Sequence, residues 1–394
     1  MRYQIAHKDA LYGSGGYYDS VLRPDEIDSV DGAGDNAVRY LSEVFPGGSY
    51  ARATPAILSA DEAFLEKVTS LFKYINENFG YCAPSLALRF SHGITHDSVV
   101  YLSAANGLSV FYPTYRDNDR PFVRLLDLDQ VDISTHKDIN NNRRRRYFYL
   151  SSAGSFNYGH WLVDDLPRIR WLLLDPQPTT ILLQSFPGMD EIRAQSLNFL
   201  LAGTSMKLVF LNSDEIARCS ELTYVTPVSF HPYLKNVAAL TYLRQAVRSK
   251  LPATQAMGKR LFVRRRSDRG RQILNQAEVE ALVVRFGFSI IDPEDYGFAG
   301  QANIFAKAKF IVGTMCAAMC NTAFSEAGAQ LLYLAPNDWV EPFYWDLASV
   351  MGHSYVAIHG ERANANEAPH LDDFHIDLET LKSALEAMVA TPSS

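Results

Sequence analysis

Lys259-Arg260-Leu261-Phe262-Val263-Arg264-Arg265-Arg266-Ser267-Asp268-Arg269-Gly270-Arg271, followed by Gln272-Ile273-Leu274-Asn275-Gln276-Ala277-Glu278, carries a strand, a loop and a helix start in twenty residues. The apolar centre at Leu261–Val263 reads as a buried strand spanning 260–265. Asn275 with Glu278 three positions on reads as a capping box. That box opens a helix running through Phe286, which Gly287 closes. Seven cations fall in the first thirteen residues. They cluster after the strand, where a ligand of an open α/β sheet sits. Arginine offers a planar fork suited to phosphate, so two or three of these could hold a diphosphate without a metal.

Outward from this stretch the same rhythm repeats. Towards the C-terminus, strands are expected at 288–291, 310–312, 330–334 and 355–358, with helices at 301–308, 317–326, 343–351 and 378–389. Towards the N-terminus, strands are expected at 147–151, 179–184, 207–211 and 222–228, with helices at 160–174, 189–202 and 234–250. Repeated strand–helix units imply parallel sheets wrapped by helices. A helix is expected at 61–79 from the spacing of Phe64, Val68, Leu71, Phe72 and Ile75. Residues 85–135 read as strands and turns, and 1–60 as largely loop. The fold class is therefore α/β, as two Rossmann-like domains facing across a cleft. The expected boundaries are 1–251, a hinge at 252–258 in the small, polar segment after Pro252, then 259–377. A final helix in 378–394 is expected to pack back on the N-terminal domain. The 394-residue length fits two domains.

Composition narrows the function. The chain is 47% hydrophobic and 21% charged, with net charge −7, which argues against a nucleic-acid partner. Cys82, Cys219, Cys316 and Cys320 have no zinc-type spacing and read as reduced thiols of a cytoplasmic protein. The first ten residues lack the apolar core of a secretory signal. No apolar run approaches the roughly 18–20 residues of a membrane span. A peripheral contact at the inner membrane stays among the expectations, although no basic amphipathic helix argues for one. A run at 143–146, four arginines, reads as an exposed loop.

Two motifs carry chemistry. In Asn157-Tyr158-Gly159-His160-Trp161-Leu162-Val163-Asp164-Asp165, an offset of four puts His160 and Asp164 on one helical face, about 5–6 Å apart at Cβ. An imidazole and a carboxylate so placed can share a proton or take one from a hydroxyl. The plainer reading is a helix start whose acids complement the dipole. In Gly313-Thr314-Met315-Cys316-Ala317-Ala318-Met319-Cys320-Asn321, a strand ends and a helix of small residues is expected to begin, which would favour an anion. Close helix–sheet packing also asks for small residues there. Tyr344 and Trp345 read as core residues before they read as a stacking surface.

These residues together resemble glycosyltransferase family 61 over about 145–345. Asn157, His160 and Asp164 meet its N-x-x-H-x-x-x-D stretch. Arg264 and the run Arg271-Gln272-Ile273-Leu274-Asn275 meet its arginine-ended strand and R-x-I-x-N. Pro293, Glu294 and Gln301 meet its P-E…Q segment. Gly313 and Asn321 are kept, but Met315 and Cys316 stand where the family has histidine and glycine. The resemblance implies a GT-B fold and an inverting, metal-independent transfer from a nucleotide sugar, UDP-linked in the first instance. The acceptor would be a glycan or lipid-linked glycan of a surface polysaccharide, such as a capsule or exopolysaccharide. It implies a catalytic group of Asp164, His160 and Asp165, with Asp164 favoured as base. It implies a donor site of Arg264, Arg265, Arg271, Asn275, Glu294, Gln301, Gly313, Thr314, Met315, Cys316, Ala317 and Asn321, and no metal or other cofactor. The Met315–Cys316 departure keeps a second expectation alive, a non-catalytic nucleotide-sugar or glycan binder that assists assembly. A nicotinamide enzyme is disfavoured, since no G-x-G-x-x-G follows a strand.

Overall fold

The computed structural model describes residues 4–5, 38–104, 107–115, 120–126, 145–252, 258–266 and 270–390. The chain forms two compact units, one of 1–48 with 81–228 and the other of 49–80 with 229–394. Most of the expected hinge, 253–257, lies outside the described residues.

The first unit is built on a mixed sheet. Among the described residues its order is Gln4–Ile5, Gly107–Val110, Val99–Ala104, Ser85–His96, Ala217–Val225, Arg146–Tyr149, Thr179–Gln184 and Lys207–Leu211, with Val38–Phe45 also on Ser85–His96. The last four strands of that order run parallel, Tyr149 lying between Tyr224 and Leu182. The rest of the sheet is largely antiparallel hairpins, as the broken apolar runs of 85–135 predict. Helices cross over between the parallel strands, one over 158–174 and one at Asp190–Leu200. Tyr147, Tyr149, Leu182, Leu222 and Tyr224 fill the core on one side.

The second unit holds the more regular parallel sheet. Its order is Ser289–Ile291, Arg260–Val263, Phe310–Thr314, Gln330–Pro336 and Val356–Arg362. Numbered along the chain from Arg260–Val263, that is 2-1-3-4-5, and all four pairings are parallel. The order reverses between Arg260–Val263 and Phe310–Thr314, and such a switch point opens a crevice at the strands' carboxyl ends. Gly313 is needed in the central strand. A Cβ there would lie 2.9 Å from Met319 Sδ, Val263 Cβ and Val263 O. Gly313→Ala is therefore expected to cost about 1–3 kcal/mol by overpacking. A thermal melt checks this, and an unchanged midpoint would refute it.

Three features differ from the sequence reading. Residues 49–80 lie in the second unit, where Ala56–Leu58 extends the sheet beside Val356–Arg362. The capped helix Glu62–Asn78 buries Phe64, Val68, Phe72 and Ile75 there. The cause is long-range. Asp346, fully buried, accepts from Arg52 (2.6 Å), Lys235 (3.1 Å) and the Tyr50 hydroxyl (2.6 Å). Residues 229–251, with the helix Val237–Arg248, also belong to this unit. Finally, the helix Leu378–Ala390 packs Leu381, Leu385 and Met388 with Val279, Leu282 and Val283 of the second unit's core, where the sequence reading sends it to the first. Among the described residues, no helix is long and apolar enough to cross a membrane.

Two buried histidines give the second unit an acid sensitivity. His353 meets the Thr322 carbonyl at 3.0 Å and His359 the Pro336 carbonyl at 3.1 Å. Burial pushes each imidazole down from 6.5 to about 4. The unfolded chain takes up these protons below pH 6.5, whereas the folded chain resists until near 4. Stability is thus fully present above about 6.5 and is lost as pH falls towards 4. Melting temperature should fall across that window, with a shallower fall in His359→Gln. An equal slope in the variant would refute the assignment.

Candidate functional site

In the first unit, the candidate site follows the carboxyl end of Arg146–Tyr149. Asn157 caps the helix start, its side chain accepting from the Gly159 N–H at 2.8 Å. The helix over 158–174 is composite. Tyr158–His160 is α, Trp161–Asp165 is a π turn in which the Leu166 N–H reaches Trp161 O, Leu166–Ile169 is 3-10, and Arg170–Leu174 is α again. Pro167 lacks the N–H that an α ladder would need at that point, which breaks the regular pattern. Such π turns are often found at functional positions. Here the turn holds Asp164 against His160, with Nδ1 to Oδ2 at 2.7 Å. The imidazole is 24% exposed and the carboxylate 14%, so both remain within reach of a ligand. Behind them Trp161 is fully buried. Its Nε1 donates to Ser196 Oγ at 3.0 Å, and the Arg193 guanidinium lies over its ring at 4.7 Å.

Asp165 differs from its neighbour. It is fully buried, ion-paired with Arg168 at 2.5 Å and hydrogen-bonded by Ser155 at 2.6 Å. The sequence reading groups it with the catalytic residues, whereas here its charge is taken up inside the unit. Ser152, Ser155 and Arg168 were not singled out in the sequence. The small-residue run Ser151-Ser152-Ala153-Gly154-Ser155 after a strand was the available signal.

In the second unit, a cavity of ≈ 260 Å³ lies at the switch point, lined by Arg264, Arg265, Arg266, Arg271, Gln272, Ile273, Gln276 and Thr314. Its arginines are not equivalent. Arg264 makes a two-pronged pair with Glu280 at 2.8 Å on both prongs. Arg266 is held by Asp292 at 2.8 Å, Glu294 at 3.6 Å and Asp295. These two charges are already balanced by carboxylates. Arg265 Nε donates to the Gly270 carbonyl at 2.9 Å. Arg271 donates to the Met315 carbonyl at 2.9 Å and lies 4.4 Å from the Trp339 ring. Its Nε is buried with no hydrogen-bond partner among the described residues. Burial and then the neighbouring Arg265 charge push its pKa down. Both Gly270 and Arg271 are left-handed, with φ of 65° and 56°. A non-glycine residue in that region is unusual and marks a turn whose shape is imposed by its surroundings. A Cβ on Gly270 would collide with Leu371 O at 2.2 Å.

The remaining expected donor residues divide between this cavity and the core. Thr314 ends the central strand and lines the cavity. Met315 and Cys316 are buried, and the Met315 carbonyl is the group that holds Arg271. Ala317 opens a 3-10 segment, Ala317–Phe324, and not the α-helix expected there. Asn275 precedes its helix but makes no side-chain cap. Its amide instead bridges Ile376, donating to the carbonyl at 2.8 Å and accepting from the N–H at 3.0 Å. Asn321 donates to Gln301 at 2.8 Å, both buried, which ties two core elements together. Glu294 is an exposed partner of Arg266. Tyr344 and Trp345 are buried, and Trp345 donates to the Ala53 carbonyl at 2.8 Å. Gln272, Ile273, Gln276 and Trp339 were not among the expected site residues.

Against known proteins, the Glycosyltransferase 61 family model matches residues 158–332. That is less than half of the chain, and it supports a glycosyltransferase. Among solved structures the chain is similar to the E. coli heptosyltransferase WaaC with ADP. The two are 10% identical, the match covers 62% of this chain and 99% of that chain, and the TM-score is 0.28. No curated protein matches.

Proposed function

We propose that the chain is a glycosyltransferase that moves a sugar from a nucleotide-sugar donor to a glycan acceptor. The observation that carries this is the arginine-lined cavity at the switch point of the second unit, within the stretch matched by the family model. A buried guanidinium beside another cation, whose Nε has no hydrogen-bond partner among the described residues, is stabilised by an anion at that spot. A nucleoside diphosphate supplies such an anion. The donor is held by Arg271, Arg265 and Thr314, without a metal, and the acceptor by the first unit. In the inverting reaction the acceptor hydroxyl oxygen bonds to the anomeric carbon as the bond from that carbon to the phosphate oxygen breaks. The hydroxyl proton passes to the His160–Asp164 pair, and the nucleoside diphosphate leaves with the electron pair. A UDP-linked sugar is the first donor to try, and a surface polysaccharide made at the cytoplasmic face is the setting we favour.

A panel of nucleotides in a thermal shift assay tests the donor site. Stabilisation by UDP or GDP, and none by NAD, is the expected result; stabilisation by NAD alone would overturn the reading. Release of nucleoside diphosphate from the sugar nucleotide then distinguishes the enzyme from a binding protein. That second reading has a specific motive. Met315 and Cys316 replace the histidine and glycine of the resembled family, and both are buried.

A further inference from the structure

Asp165 adjoins Asp164 in sequence, yet its environment suits a different task. Its Oδ1 meets Arg168, which also donates to the Val225 carbonyl at 3.2 Å and so anchors the pair to a central strand. Its Oδ2 accepts from Ser155 Oγ at 2.6 Å and from Ser152 Oγ at 3.2 Å. Ser155 Oγ in turn accepts from the Ser152 N–H at 2.8 Å. One carboxylate therefore ties both ends of the 152–155 loop. Gly154 lies within that loop, against the imidazole. A Cβ built on it would be 2.8 Å from His160 Cγ, 2.9 Å from Cβ and 3.2 Å from Nδ1. The loop thus walls the ring at the very atoms that set its orientation.

We propose that Asp165, Arg168 and Ser155 are positioning residues. They hold the 152–155 loop against His160 so that Nδ1 stays on Asp164 Oδ2. The proposal rests on the reading of His160 and Asp164 as the proton-accepting pair, and gives Asp165 no proton to transfer. A buried ion pair suits this task. Its carboxylate is desolvated and fully engaged, so it is a rigid acceptor for the two serines.

The test uses the whole chain with 15N-labelled histidine. Side-chain nitrogen resonances of His160, identified by their loss in His160→Gln, report whether Nδ1 is bonded to a carboxylate. Gly154→Ala and Ser155→Ala are expected to move the Nδ1 resonance away from its wild-type position. Both should lower kcat by about tenfold to hundredfold with the donor KM unchanged, as for a displaced reacting group. Should Gly154→Ala fail to fold, Ser155→Ala decides alone. Wild-type nitrogen resonances in a folded variant would overturn the proposal. Shifted resonances in a chain that transfers no sugar would uphold the positioning and remove the transferase reading instead.

Discussion

Asp164→Asn is expected to lower turnover by roughly 10²–10⁴-fold, the usual effect of removing a general base. The amide keeps the size of the side chain but cannot take the acceptor's proton. Affinity for UDP should stay at the wild-type value, because the proposed donor residues belong to the other unit. His160→Gln should cost a similar factor. The double variant should cost little more than either single change, because the two groups meet at 2.7 Å and act as one acceptor. Turnover within threefold of wild type, with only a slightly lower melting point, would mean that Asp164 merely complements the helix start. Multiplying losses in the double variant would mean separate roles.

Arg271→Ala is expected to weaken UDP binding by about tenfold to a hundredfold, which corresponds to losing about 1.5–3 kcal/mol of charge-assisted bonding. Arg271→Lys should fall between, since it keeps the charge but loses the planar fork. The comparison variant is Arg264→Ala. From sequence alone Arg264 stands beside Arg271 among the expected donor residues, but its guanidinium already holds Glu280 through two bonds. Its loss removes a balanced, partly exposed pair, for which about a threefold change or less is expected. Isothermal titration with UDP measures both. Equal affinity in Arg271→Ala and wild type would discard the assignment, as would a larger loss from Arg264→Ala than from Arg271→Ala.

Much of this site is legible residue by residue. The offset of four between His160 and Asp164 requires only that the segment be helical, and the contact survives even the π turn between them. The cations after Leu261–Val263 had to emerge at a strand end, and the cavity there is lined by four of them. What each polar group does was not legible in the same way. Asn275 has every local feature of an N-cap, yet its amide is spent on Ile376, 101 residues away. Asp165 and Asp164 are the same residue type side by side, yet one faces His160 and the other a buried arginine. Gln301 and Asn321, expected at the donor, bond each other in the core.

The sequence by itself determined the α/β alternation, the helix expected at 61–79 and found at Glu62–Asn78, and the two chemical segments. These follow from side-chain periodicity and chain stiffness, which act over a few residues. Only the tertiary structure decided that 49–80 completes the second unit, that Leu378–Ala390 joins the core of that unit, and which arginines are paired with carboxylates. The physical reason is common to all three. A sheet edge, an apolar face or a carboxylate is claimed by whichever partner the folded chain brings within bonding distance. That distance is set by contacts such as Arg52–Asp346 and Arg264–Glu280, which no local pattern encodes.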